Sequence, residues 1–158
     1  MPLATAIMTG MDKLTPERRS ANMRAIRSAD TKPEMTVRRL LRSIGLSGYR
    51  LHRRDLPGRP DIAFVGRRKA IFVHGCFWHG HGCREGSRRP RTRQEYWAAK
   101  ISGNQERDAR HHTRLKEQGW EVMVVWECEI PSPSLAARLA AFLGCGTAGR
   151  NALETDRG

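Results

Sequence analysis

The segment FVHGCFWHGHGC, residues 72–83, places two cysteines and three histidines within one short stretch of chain. Thiolates and imidazoles bind a tetrahedral ion of borderline softness, and a fourth ligand is available downstream where the apolar run VMVVWEC ends. The four candidate ligands are Cys76, His81, Cys83 and Cys128. Residue types alone also allow His79 in place of His81. The sequence therefore predicts a metal site, with histidines left over for chemistry.

A second candidate site involves Asp61, which follows the turn sequence PGRP at the start of a predicted strand. The next predicted strand ends on Phe72-Val73-His74. If the two strands pair, the Asp61 carboxylate and a backbone carbonyl meet at one end of the hairpin, where oxygen ligands suit a hard divalent ion. Such an ion on a basic surface indicates phosphodiester hydrolysis, with a neighbouring neutral histidine accepting a proton from the attacking water.

The charge of the chain supports a polyanionic partner. The 158 residues contain 29 Lys and Arg against 16 Asp and Glu, which gives a formal net charge of +13. Arginine is more frequent than lysine, and its guanidinium group matches phosphate geometry, so we expect nucleic acid rather than a membrane surface as the partner.

No apolar run is long enough to span a bilayer, and we expect a cytoplasmic protein. In the reducing cytoplasm, four cysteines favour metal binding over disulfides. Cys145 is expected to pack at a helix end instead of binding metal.

The elements that would position these residues form one α/β domain over residues 15–145, preceded by a flexible lead (1–14) and followed by a disordered tail (146–158). A basic helix is predicted over residues 15–28. The T-K-P-E sequence at residues 31–34 then predicts a capping box, which begins an amphipathic helix ended by Gly45. Three short β-type runs from Tyr49 predict a meander that ends at His74.

The second half of the chain predicts two helices around one strand. Thr92 is expected to cap a helix that breaks at Gly103 and ends at Gly119. The apolar run at residues 120–127 predicts a buried strand parallel to its neighbour, because a long helical connection precedes it. A last helix is expected after Pro133, with its leucines facing inward. The order of elements predicts a small mixed sheet flanked by helices.

Five stretches together resemble the very-short-patch repair (Vsr) endonucleases, a branch of the PD-(D/E)xK nuclease fold. They are SANMRAI, LPGRPDIAFV, FVHGCFWHGHGC, EYWAAKISGN with ERD after it, and GWEVMVVWEC. The resemblance extends from about Thr15 to Cys128. The chain has no D/E-x-K after Asp61 and carries Phe72-Val73-His74 instead, which is the pattern of this branch.

The resemblance implies a role for each candidate residue. Asp61 and the backbone carbonyl of Val73 would bind catalytic magnesium, with two ions expected, and His79 would be the general base. His74 and Asp108 would join the catalytic site through hydrogen bonds and bound water. Glu34 would reach the site from its helix, although as the last residue of T-K-P-E it is equally well explained as a cap. Cys76, His81, Cys83 and Cys128 would bind one structural zinc ion.

The resemblance also implies the substrate, which is double-stranded DNA with a T:G mismatch left by deamination of 5-methylcytosine. The enzyme would nick the strand on the 5′ side of the mispaired thymine. Aromatic and apolar side chains would enter the duplex beside the mismatch: Phe77, Trp78, Trp97, Met23 and Ile26. A monomer is expected, and mismatch-repair proteins such as MutL are candidate partners.

Two other interpretations remain open from the sequence. One is a nuclease of the same fold with a different or relaxed DNA target. The other is a zinc-stabilised DNA-binding module without catalysis, whose affinity would depend on its arginines and on salt. A binding module has no need of Asp61, His74, His79 and Asp108, and this favours the enzymatic interpretations.

Overall fold

A computed structural model describes Thr15 and residues 29–145. The predictions for the lead, the basic helix over residues 15–28 with Met23 and Ile26, and the tail concern segments outside the described residues, apart from Thr15 itself. None of the described helices is long and apolar enough to cross a membrane.

The first described helix, α1, spans Lys32–Ser43 and confirms the prediction made from T-K-P-E. Thr31 is its N-cap and accepts a hydrogen bond from the Glu34 N–H, while Pro33 occupies the first turn, where no N–H is needed. Val37 and Leu41 lie one turn apart and are fully buried. The helix ends before Gly45, whose φ of +78° continues the chain in a left-handed turn.

The sheet has four strands in the order β1-β2-β3-β4. Strands β1 (Arg50–Leu51), β2 (Ile62–Phe64) and β3 (Lys69–His74) pair antiparallel, and β4 (Glu121–Trp126) pairs parallel with β3. Both the meander and the parallel strand were predicted. The prediction of a buried β4 was too strong, because β4 is an edge strand in which only Val125 is fully buried.

After β3, a short helix α2 spans Arg84–Ser87, and the long helix α3 spans Gln94–Glu117. The prediction that Thr92 caps α3 was wrong, because the N-cap is Arg93, in a left-handed conformation without a side-chain capping bond. The predicted break at Gly103 was also wrong. A Cβ there would meet nothing within 4 Å, so the glycine lies on an open surface and costs only about 1 kcal/mol of helix propensity. Helix α4 spans Leu135–Phe142.

The sheet separates two groups of apolar side chains. Helices α1 and α4 cover one face, where Val37, Leu41 and Leu139 pack with Ile71; Cys145 packs against this group, as predicted. On the other face Leu115 of α3 packs with Ala70 and Phe72. Successive side chains of a strand point to opposite faces, so His74 continues the row of Ala70 and Phe72 and is directed towards α3.

Candidate active site and metal-binding cluster

An open cavity of about 600 Å³ lies at the end of β3 where the hairpin and α3 meet. All five predicted catalytic residues line it together: Glu34, Asp61, His74, His79 and Asp108. Trp78 lines it as well. Val73 also lines the cavity. These residues come from α1, the β-hairpin, the loop after β3 and α3, so the fold brings together side chains that are distant in sequence.

Asp61 is held at the start of β2 by a backbone contact. The Val73 N–H donates to Asp61 Oδ2 at 2.7 Å. Burial raises the pKa of Asp61 to about 6, and the nearby Glu34 carboxylate adds to the effect while the Val73 N–H opposes it. A buried carboxylate with a raised pKa in a cavity gains stability from a cation, which is the setting of a metal-binding or proton-transferring group.

His74 and His79 stack beside this carboxylate. Their rings are 3.9 Å apart between centroids and inclined by only 8°. Burial of His74, together with the charge that His79 can carry, lowers the pKa of His74 to about 4. His74 is therefore neutral near pH 7.

His79 is oriented by Asp108, a residue of α3. Its Nδ1 lies 2.5 Å from Asp108 Oδ2. Burial acts to raise the pKa of Asp108, but the hydrogen bond and charge of His79 outweigh it, and the pKa of Asp108 lies below its usual range. An ionised Asp108 accepts a hydrogen bond from the Nδ1–H of His79, so the proton of the neutral ring is on Nδ1 and Nε2 is unprotonated. This is the tautomer that a general base requires.

Two side chains of α3 fix the loop that carries His79. Asn104 Nδ2 donates to the Trp78 carbonyl oxygen at 2.8 Å, and Gln105 Nε2 donates to the His79 carbonyl oxygen at 3.0 Å. Gly80 follows with a φ of +60°, and a Cβ at this position would lie 2.7 Å from Ile101. The loop therefore packs closely on α3, which holds the His79 ring in place.

Glu34 serves as a helix cap and also lines the cavity, so the two explanations offered for it are compatible. Its Oε1 accepts from the Thr31 hydroxyl at 3.0 Å and its Oε2 from the Asp30 N–H at 2.9 Å. The same residue is only 3% exposed, and its Oε2 lies 3.6 Å from His52 Nε2 and 3.4 Å from Arg38 Nη2.

His52, Arg38 and Asp30 were not singled out in the sequence. Together with Glu34 they form a network beside the cavity, in which Glu34 and Arg38 are buried, His52 is half-buried and Asp30 is exposed. The side chains of Asp30, Glu34 and His52 are close enough to share an ion, but the Arg38 guanidinium already lies 2.7 Å from Asp30 and 3.4 Å from Glu34 and offsets one of the two negative charges. Nothing in the local sequence marks His52, since its contacts arise only in the tertiary structure.

The second group of candidate ligands lies beside the first. The ligand atoms of Cys76, His81, Cys83 and Cys128 all lie within 4.8 Å of one another. His81 belongs to this group, with Nδ1 at 3.4 Å from Cys128 Sγ, whereas His79 pairs with Asp108. Three sulfurs and one imidazole nitrogen at this spacing fit a tetrahedral ion of the zinc type.

The geometry of this cluster also prepares a thiolate. The Gly86 N–H donates to Cys83 Sγ at 3.4 Å and, with the hydrogen bond from His81, lowers the pKa of Cys83 to about 6. Burial acts in the opposite direction on Cys76 and raises its pKa. A Cβ at position 86 would lie 2.0 Å from the His81 carbonyl oxygen, so only glycine permits this approach.

Comparison with known proteins decides the family. The sequence pattern described as "DNA mismatch endonuclease Vsr" matches residues 11–85. The chain is 53% identical over 133 residues to the "Type II nicking enzyme V.XorIIP" of Xanthomonas oryzae pv. oryzae, covering 84% of this chain and 96% of the relative. It is 42% identical over 150 residues to the "DNA mismatch endonuclease Vsr" of Escherichia coli, covering 91% and 92%.

The chain belongs to the Vsr family. It is a DNA endonuclease, as predicted from the five sequence stretches. The mixed α/β architecture with a four-stranded sheet is that of a small nuclease domain. DNA is accordingly its substrate, in agreement with the strongly basic composition.

In this Vsr endonuclease the loop after β3 and the first turn of α3 together present a group of aromatic side chains. Phe77 lies 5.2 Å from Trp78 and 5.5 Å from Trp97 between ring centroids, and the two tryptophans are 6.0 Å apart. Tyr96 extends the group, at 5.3 Å from Trp97, and is 51% exposed. All lie outside the two described core clusters. A half-buried aromatic group at the protein surface is available for contact with bases.

Trp126, the last residue of β4, connects the two halves of the Vsr site. Its ring stacks on His81 at 4.3 Å and meets the edge of His74 at 5.3 Å. The group of candidate metal ligands and the histidine pair therefore lie next to each other, with Trp126 in contact with both.

Proposed function

We propose that this Vsr endonuclease is a magnesium-dependent mismatch nickase within the PD-(D/E)xK fold. It cleaves one strand of duplex DNA on the 5′ side of the thymine in a T:G mismatch that arises from 5-methylcytosine deamination, and so begins very-short-patch repair. The observation that carries the proposal is the convergence of Asp61 and the His79–Asp108 pair on one cavity of a protein with a net charge of +13.

Asp61 and the backbone carbonyl of Val73 would hold magnesium. Both supply hard oxygen ligands. The raised pKa of Asp61 means that burial destabilises its ionised form, and a bound cation would stabilise that form. Bound magnesium supplies positive charge at the scissile phosphate. Glu34 adds negative charge at the same wall and faces Asp61 across the His52 ring.

His79 acts as the general base. Asp108 accepts a hydrogen bond from His79 Nδ1–H, so Nε2 can accept a proton from the attacking water. His74 stays neutral beside it, and its stacked ring limits rotation of His79 without adding a second charge. Cleavage of one strand needs only one active site, so a monomer is sufficient for the proposed reaction.

A structural zinc ion bound by Cys76, His81, Cys83 and Cys128 fits the ligand types and spacing of the second cluster. Four protein ligands leave no open position, so this ion would support the fold and take no part in cleavage. It would tie the loop that carries His79 to the turn Glu127–Glu129 that follows β4, and Trp126 stacks on the ligand His81.

Mismatch recognition is assigned to the aromatic group of Phe77, Trp78 and Trp97, acting with Met23 and Ile26 from outside the described residues. A T:G pair is more easily unstacked than a matched pair, and inserting apolar wedges costs a few kcal/mol per base step. Discrimination then follows from deformability, because the mismatch lowers the cost of entry.

Strand-resolved cleavage tests the proposal. One labelled duplex with a single T:G mismatch and its fully paired counterpart would be incubated with the protein, with and without magnesium. The variants would be His79→Ala and, as a matched histidine control on α3 that does not line the cavity, His111→Gln.

We expect one magnesium-dependent nick 5′ of the mispaired thymine, absent from the paired duplex, lost in His79→Ala and kept in His111→Gln. Equal cutting of both duplexes would instead indicate a nuclease of the same fold with a relaxed target. Tight DNA binding without cutting would contradict the enzymatic mechanism and favour a zinc-stabilised binding module.

A further inference from the structure

His52 lies between the carboxylate proposed to hold magnesium and the carboxylate of α1. Its Nδ1 is 3.8 Å from Asp61 Oδ1, and its Nε2 is 3.6 Å from Glu34 Oε2. The three side chains are 20%, 16% and 4% exposed. A ring in this position is shielded from bulk water and lies close to both of these carboxylates.

The backbone of His52 is adapted to this position. His52 has a φ of +47°, an uncommon conformation for a residue other than glycine. Its N–H donates to the Asp61 carbonyl oxygen at 3.3 Å, so the same residue contacts Asp61 through backbone and side chain. Left-handed conformations of this kind persist where surrounding contacts enforce them, and they concentrate at functional sites.

Arg38 determines which ring nitrogen of His52 carries the proton. Its Nη2 lies 2.9 Å from His52 Nε2. A guanidinium group has donors only, so Nε2 must be the acceptor and the proton resides on Nδ1. Arg38 is buried, and its ion pair with Asp30 at 2.7 Å holds it in place.

The consequence is a polar N–H aimed at Asp61 Oδ1. The 3.8 Å separation is a dipolar contact, longer than a hydrogen bond. The other oxygen, Oδ2, is fixed by the Val73 N–H. Each carboxylate oxygen thus has a different donor near it, Oδ2 with a hydrogen bond at 2.7 Å and Oδ1 with a longer contact at 3.8 Å.

We propose that His52 is a positioning residue for Asp61, with Arg38 holding its tautomer, and that this pair orients the carboxylate that receives the divalent ion. The inference rests on the proposed function, since it concerns the magnesium ligand of that site. His52 does not itself touch substrate; it acts through Asp61. Partners of this kind behind a ligand typically contribute about 10-fold to 100-fold in metal affinity or activity.

Two substitutions separate the N–H group from the backbone conformation. His52→Asn keeps a donor where Nδ1 stands, and asparagine tolerates a positive φ better than other residues with a side chain. His52→Gly removes the ring and also accepts the positive φ. His111→Gln serves as the histidine control, because His111 does not line the cavity.

The measurement is divalent-ion binding to the protein on an uncleaved mismatched duplex, with Mn²⁺ followed by electron paramagnetic resonance. Cleavage rates against magnesium concentration give a second readout, and thermal unfolding without added ion checks the fold. We expect His52→Gly to weaken ion binding about tenfold. Its cleavage rate should recover at saturating magnesium, while His52→Asn and His111→Gln remain close to wild type.

Wild-type ion affinity in His52→Gly overturns the inference. So does an equal loss in His52→Asn, because the N–H would then be irrelevant. The variant Asp61→Asn distinguishes the inference from the proposed function. If Asp61→Asn keeps ion binding and cleavage, the proposed function itself fails. If Asp61→Asn abolishes both while His52→Gly changes neither, only the positioning role is wrong.

Discussion

The ring planes of His74 and His79 are almost parallel, with centroids 3.9 Å apart, so the two imidazoles cannot both be charged without strong repulsion. The structure resolves this conflict by burying His74, whose pKa falls to about 4. His79 lies closer to the opening and is paired with Asp108. The buried member of the pair therefore stays neutral near pH 7, and the other member is the one proposed as the general base.

This arrangement makes the stability of the protein depend on pH. The pKa of His74 is 6.5 in the ordinary case and about 4 in the folded chain. Between these values the unfolded chain binds the extra proton. The stabilising contribution is complete above pH 6.5 and decreases as the pH falls towards 4, by about 2 kcal/mol between pH 6.5 and 5.

We expect His74→Asn to have a flatter dependence of unfolding free energy on pH in this interval. Urea denaturation of both proteins from pH 7.5 to 5 measures it. The cysteine cluster also responds to acid, but it is common to the two proteins and cancels in the comparison. Parallel pH curves would show that folding does not lower the pKa of His74.

Asp61 should lower stability in the absence of a divalent ion. Its pKa is raised to about 6, so between pH 4 and 6 the folded state binds more protons and stability decreases as the pH rises. A shift of two units corresponds to about 3 kcal/mol. Asp61→Asn removes the charge but keeps an acceptor for the Val73 N–H.

Asp61→Asn should therefore be more stable than wild type at pH 8 without magnesium, and the difference should disappear near pH 4. Asp55→Asn is the control, because Asp55 is 57% exposed and paired with Arg53. Chemical denaturation at the two pH values provides the test. A variant that is less stable than wild type at pH 8 would mean that the ionised carboxylate is already compensated by the protein.

The local patterns of the sequence were sufficient for most elements, because they express local physics. T-K-P-E specifies the start of α1, and the change from helical to alternating periodicity marks the meander. The start of α3 was predicted incorrectly because the N-cap at Arg93 has no side-chain capping bond to leave a signature. Gly103 remains helical because burial of Ile101 and Leu115 along the same helix outweighs its propensity.

Some residues of the candidate site could likewise be predicted from the sequence, and others could not. Asp61 and the cysteine and histidine cluster have sequence signatures, and residue roles were assigned by resemblance. The positioning network could not be predicted, because His52, Arg38 and Asp61 are brought together by the packing of α1 on the hairpin. Glu34 was ambiguous for a physical reason, since its two oxygens serve the helix cap and the cavity at once.

The two cysteines of the C-terminal part of the chain provide a matched test of the zinc cluster. Cys128 lies with the candidate ligands, whereas Cys145 packs against the core beyond α4. Cys128→Ala should lose bound zinc and several kcal/mol of stability, because structural zinc contributes on the order of 10 kcal/mol to folding. Cys145→Ala should keep its zinc and lose only about 1 kcal/mol.

Metal content by mass spectrometry and thermal unfolding measure both effects. The stack of Trp126 on His81 adds a spectroscopic readout, since loss of the ion should alter tryptophan fluorescence in Cys128→Ala only. Stoichiometric zinc in Cys128→Ala, with an unchanged melting temperature, would exclude the proposed ligand set.

The contact between His79 and Asp108 predicts strongly non-additive kinetics. His79→Ala should slow the nicking step by about 10² to 10⁴-fold, the usual contribution of a general base. Asp108→Asn should slow it as well, because an amide can donate a hydrogen bond to Nδ1 as well as accept one from it. The His79 proton could then lie on Nε2, the nitrogen that must accept the proton from water. In the double variant Asp108→Asn should have no further effect, since Asp108 acts only through His79.

Single-turnover rates on the mismatched duplex measure this cycle, with Glu106→Gln as the control on the same helix. Glu106 is exposed and accepts a hydrogen bond from Ser102, so its substitution should leave the rate unchanged. If Asp108→Asn slows the His79→Ala protein by the same factor as the wild type, Asp108 has an independent function. In that case its carboxylate would contact bound water or the ion directly, because a residue that only orients His79 has no effect once the ring is gone.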